Sequence, residues 1–154
     1  MSKLIRIFAI IVILVVCASL SALAKDSTDV AGIRRVIYSY QQALNSNNVE
    51  EIIKLFTEDG TVLIQKAPTN VGIAEIRKFY EVLFKTIDLD LEFQIAELVQ
   101  VSPEWAFVRS TSHGTVTVIS DKSNNLSVGQ ELFILKKQIE GSWKIARYAG
   151  SSVQ

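Results

Sequence analysis

Leu91-Glu92-Phe93-Gln94-Ile95-Ala96-Glu97-Leu98-Val99-Gln100-Val101 is the stretch that decides the fold. One set of positions (Leu91, Phe93, Ile95, Glu97, Val99, Val101) alternates with a more polar set (Glu92, Gln94, Ala96, Leu98, Gln100). A period of two belongs to a strand, because successive side chains point to opposite faces of a sheet. Moving forward, Ser102-Pro103-Glu104 predicts a turn and Trp105 to about Ile119 a second strand. Asp121 to Asn125 then reads as a polar hairpin, Val128 to Gln138 as a strand, Glu140-Gly141-Ser142 as a turn and Trp143 to Ala149 as the last strand. Gly114 and Gly129 fall inside strands, where glycine often marks a bulge or bend, so a strongly curved sheet is expected.

Moving backward, the period changes. Ile73, Ile76, Tyr80, Leu83 and Phe84 recur at helical spacing and predict a helix that finishes before Asp88. Pro68 to Gly72 reads as a loop, Thr61-Val62-Leu63-Ile64 as a strand, and Asp59-Gly60 as a break. Ile33, Val36, Ile37, Tyr40 and Leu44 give a first helix, with caps on offer at Ser27, Thr28 and Asp29 and an end near Asn45 to Asn47. Asn48 and Glu51 have capping-box spacing, and Ile52, Ile53, Leu55 and Phe56 supply the apolar face of a short second helix. Three helices before a long antiparallel meander define an α+β domain, with the helices on one face of the sheet.

The 154 residues suit one domain; 16 basic residues balance 16 acidic ones, with one His and one Cys. No block of like charge marks a nucleic-acid or anionic-membrane surface. Lys3 and Arg6, the uncharged run from Ile7, and the ending Ser21-Ala22-Leu23-Ala24 have the form of a signal peptide. Cleavage between Ala24 and Lys25 is expected, leaving a domain over 25–154 in the periplasm or outside the cell. Retention as a membrane anchor is the alternative. A lipid-anchored Cys17 is less well supported, since bulky Val16 precedes it. The mature chain lacks a thiol, and with one His a structural zinc site finds no ligand set. There is no Gly-rich phosphate loop and no serine nucleophile elbow, so no cofactor is expected.

The runs Tyr40-Gln41-Gln42-Ala43-Leu44, Asn48-Val49-Glu50 and Leu55-Phe56-Thr57-Glu58-Asp59-Gly60 resemble the opening of the SnoaL-like polyketide cyclase family. That family lies in the nuclear-transport-factor-2-like superfamily, with ketosteroid isomerase and scytalone dehydratase. Gly72-Ile73-Ala74-Glu75-Ile76-Arg77-Lys78-Phe79-Tyr80 resembles its third-helix signature, and Gly141-Ser142-Trp143-Lys144-Ile145 its closing strand. The resemblance spans nearly all of the mature chain. It implies a cone-shaped α+β barrel, a curved antiparallel sheet and three helices enclosing a pocket. It does not supply the function, which varies across the superfamily.

By the same resemblance, Tyr40 falls where the steroid isomerase keeps its oxyanion-hole tyrosine, or is simply a core tyrosine beside Ile37 and Leu44. Ile64 falls where that enzyme has its catalytic aspartate, and an isoleucine accepts no proton. Glu131 falls near the second oxyanion-hole acid, which must stay protonated to donate; alternatively it faces solvent. His113 shares strand parity with Phe107, Arg109 and Thr111, so this set either lines the pocket or lies on the rim of the other face. Tyr148 belongs at the pocket mouth or on the surface. The candidate catalytic residues are therefore Tyr40, Glu131 and His113; the candidate ligand-binding residues are Tyr40, Ile64, Phe107, Arg109, His113 and Tyr148.

Three functions fit. The first is an exported module that holds a mostly apolar small molecule, with or without a carbonyl group, and lacks a complete isomerase set. The second is a lyase, isomerase or cyclase in which His113 or Glu131 replaces the missing base. The third is a non-catalytic dimeric scaffold. A homodimer through the open sheet face is expected in any case, because both strand parities carry large apolar side chains.

Overall fold

A computed structural model describes residues 28–153. The proposed signal peptide, Met1–Ala24, its cleavage point and Cys17 lie outside these residues. The chain divides into two units at Ala31 and Gly32, and the account below concerns the second.

Helix α1 covers 32–45 of this unit. Asn47 takes a left-handed conformation (φ 52°) that suits asparagine, and Asn48 caps α2 (Val49–Lys54) by accepting from the Glu51 backbone N–H at 3.1 Å. Phe56, expected in this helix, instead opens β1 (Phe56–Ile64) and pairs with Ile145. Its ring is fully buried edge-on to Tyr40, which decides its place. The loop expected after β1 contains a two-residue strand, β2 (Asn70–Val71), and leads into α3 (Ile73–Thr86). The long strands follow: β3 (Ile87–Gln100), β4 (Trp105–Val118), β5 (Asn124–Lys137) and β6 (Trp143–Ser152).

The sheet order is β2-β1-β6-β5-β4-β3, antiparallel except for the parallel pair β1–β6. It curves without closing on itself, so the expected barrel is an open cone. Edge strand β3 would leave unpaired backbone groups, a liability in any sheet. Here α1 covers them. Asn45 Oδ1 accepts from the Leu91 N–H at 3.0 Å while its amide donates to the Leu91 carbonyl at 2.8 Å, and Gln41 Oε1 accepts from the Phe93 N–H at 2.8 Å.

Four cross-strand rows run across the middle of the inner face. Ala106, Leu135, Ile145 and Phe56 form one, and Val108, Phe133, Tyr148 and Val62 the next; all are buried under α1 and α3. Burial of each large apolar side chain contributes roughly 1.5–3 kcal/mol. The other two rows contain small and polar residues, Ile95-Ser110-Glu131-Gly150-Ile64 and Phe93-Ser112-Gly129-Ser152. The first pair of rows is core and the second leaves space.

Bulges set which residues face inward, though not at the glycines where they were expected. Register shifts occur at Ala96 in β3, at Ala146 in β6 and between Phe56 and Thr61 in β1. Gly114 and Gly129 pair in regular register. Gly114 has φ +153°, and a Cβ there would lie 2.0 Å from the Asp90 carbonyl oxygen, so glycine is required for close approach of β3 and β4.

Candidate functional site

The inner rows that hold small residues, roofed by α1 and α3, enclose a cavity of about 320 Å³. One wall is apolar, built from Leu44, Phe79, Leu83, Ile87, Leu89 and Leu91. Beside it a polar wall carries Tyr40 from α1, Tyr80 from α3, and Tyr148, Ser112 and Glu131 from the sheet. Exposed Gln65, Lys66, Ser151 and Ser152 form the rim.

Tyr40 reaches this wall from the apolar stripe of α1, with Tyr148, Phe133 and Phe93 edge-on or nearly so at 5.1, 5.6 and 6.1 Å between ring centroids. Its hydroxyl lies 2.5 Å from that of Tyr80 and hydrogen bonds to it, with the Tyr148 phenol close by. Burial, foremost, raises the pKa of all three phenols well above the ordinary tyrosine range, reinforced at Tyr40 by Tyr148 and Tyr80 and at Tyr148 by Tyr80 and Glu131. Each phenol thus keeps its proton at neutral pH. The hydrogen bond between Tyr40 and Tyr80 consumes one of the three hydroxyl protons, leaving donors for other partners.

Tyr148 is at the heart of the cavity wall and only 6 % exposed, not at the mouth. The Ala146 bulge puts it there. Trp143 and Ile145 face inward; without the extra residue Arg147 would follow them and Tyr148 would face out.

Glu131 points inward and is 6 % exposed. Ser110 Oγ donates to its Oε2 and Ser112 Oγ to its Oε1, both at 2.6 Å. A Cβ at Gly129 would come within 2.7 Å of Oε1, so the missing side chain there leaves the carboxyl uncovered. Ile64 also lines the cavity, separated from Glu131 in their row by Gly150.

Phe107, Arg109 and His113 are not part of this site. The inward positions of β4 are Ala106, Val108, Ser110 and Ser112, so these three residues project from the outer face. There Arg109 pairs with Glu97 at 3.3 Å, and His113 lies 3.4 Å from Glu92, both exposed. Sequence reasoning missed Tyr80 and the two serines. Tyr80 read as one more member of an apolar helical stripe, and only the spacing of small Ala106, Val108, Ser110 and Ser112 would have disclosed the concave side of β4. Among the described residues no group of three or more His, Cys, Asp or Glu is placed to hold a metal ion.

This architecture and cavity define a SnoaL-like domain. The chain belongs to that family, whose model matches residues 37–137, and through it to the nuclear-transport-factor-2-like superfamily. Among solved structures it is similar to a ketosteroid isomerase-like protein from Erwinia carotovora atroseptica SCRI1043: 35% identity, TM-score 0.78, 80% of this chain and 95% of that one. A conserved protein from Planctomyces limnophilus DSM 3776 has 24% identity, TM-score 0.73, and 82% and 98% coverage. A hexachlorocyclohexane dehydrochlorinase (LinA) type 2 has 12% identity, TM-score 0.77, and 84% and 88% coverage. The last two likenesses concern the fold alone. No curated protein matches the chain at a significant level.

Proposed function

We propose that this domain binds a small, mostly apolar molecule with one polar group, and does so without steroid-isomerase turnover. The observation that carries this reading is the mixed lining of the cavity, apolar side chains from α1, α3 and β3 beside three phenols and one carboxyl. Such a site buries the body of a ligand and orients its polar end. The 35% identical relative is described as ketosteroid isomerase-like, but here Ile64 stands where the resemblance requires a proton acceptor. We further propose that the domain works outside the cytoplasm after its N-terminal segment is removed. Mass spectrometry of small molecules released on denaturing the purified protein tests the binding reading. An apolar compound present in wild type and lost when Leu83→Trp fills the cavity supports it; the same compounds in both proteins contradict it.

A second reading, a lyase or isomerase acting by proton transfer, has one observation in its favour. Glu131 is a buried carboxyl facing the cavity, and His113, on the outer face, is not available for the role. Under that reading turnover depends on Glu131 alone.

A further inference from the structure

Glu131 differs from the proton-donating acid that the resemblance led us to expect. Both of its oxygens accept hydrogen bonds, from Ser110 and Ser112 at 2.6 Å. With a hydroxyl donating to each oxygen, the carboxyl is held as an acceptor on both sides. A carboxylate offers about four lone-pair positions and accepts only. The serines use two. No Lys or Arg pairs with Glu131 among the described residues, and Gly129 leaves Oε1 open toward the cavity.

A ketone oxygen placed here would set lone pairs against lone pairs, because it has no proton to give. The neighbouring tyrosines, with three protons and one mutual hydrogen bond, retain protons for an acceptor. Only a group that both gives and takes a hydrogen bond satisfies the two sides together. We propose that the polar end of the ligand is an alcohol hydroxyl, donating to Glu131 Oε1 and accepting from the tyrosine cluster, rather than a carbonyl. This rests on the binding reading above and names the ligand class for the same cavity.

The test compares 2-tetralol with 2-tetralone, which share a bicyclic carbon frame and differ in donor capacity, by calorimetric titration of the full domain. Wild type should bind the alcohol at least roughly tenfold tighter, the scale of one hydrogen bond to a charged group. Glu131→Gln, whose amide also donates, should bring the two affinities within about threefold by the same reasoning. If that variant does not fold, Gly129→Ala covers Oε1 and should remove the preference in the same way. Equal or tighter binding of the ketone by wild type overturns the proposal while leaving the binding reading intact, as does an alcohol preference that survives both substitutions. Binding of neither probe would overturn the binding reading itself, and this proposal with it.

Discussion

Glu131 and Ile64 stand on either side of Gly150 in one cross-strand row, both facing the cavity. The space over the glycine is taken by the Tyr148 hydroxyl, which a Cβ at position 150 would meet at 2.8 Å, with Ile64 Cδ1 at 3.3 Å. Gly150→Ala should therefore push Tyr148 away from Tyr40 and cost about 1–3 kcal/mol, the usual penalty for overpacking. Chemical denaturation measures this, and an unchanged midpoint would show that Tyr148 moves freely.

Alkaline pH should destabilise the domain through its buried phenols. Unfolded tyrosines ionise near ~10, whereas Tyr40, Tyr80 and Tyr148 hold their protons to higher pH in the fold. Above that unfolded value the unfolded state binds fewer protons, so unfolding free energy falls as pH rises. The contribution is intact below about pH 10 and declines above it. Tyr80→Phe should shallow the alkaline slope, as read from denaturation midpoints across pH. Identical slopes in both proteins would refute it.

The strand pattern was legible in sequence because alternation and turn chemistry are local, and so was the Asn48 cap. Placement on a face was harder. Inward β4 positions are small or polar while Phe107, Arg109 and His113 face out, the reverse of what bulk alone suggests, because the concave side borders the core and the cavity. Tyr148 faces inward only through a bulge at Ala146, a residue with no turn signal of its own. Tyr40, Ile64 and Glu131 were found by lining up the chain with a family pattern, and all three line the cavity. The polarity of Glu131 was not readable, since it depends on Ser110 and Ser112 across the strand pair.

Export predicts a mature chain that begins at Lys25. N-terminal sequencing of protein recovered outside the cytoplasm should give Lys25-Asp26-Ser27. An intact Met1 chain in the membrane fraction would support the anchor instead.

The outer sheet face carries Leu132, Val128 and Leu63, each at least 42 % exposed, beside half-buried Phe107 and Ile134. A homodimer through this face is expected, with Leu132→Lys dissociating it by burying an unpaired charge. Light scattering at micromolar concentration should give twice the monomer mass for wild type and the monomer mass for the variant. A monomeric wild type would remove the idea.

Binding without proton transfer is the central claim, and turnover of a β,γ-unsaturated ketone tests it most directly. General-base assistance typically contributes about a hundredfold to ten-thousandfold, so a cavity with Ile64 in the base position should leave isomerisation at the solution rate. Ile64→Asp should raise it measurably. Wild-type isomerisation that disappears in Glu131→Gln would contradict the account and make Glu131 the base of an enzyme.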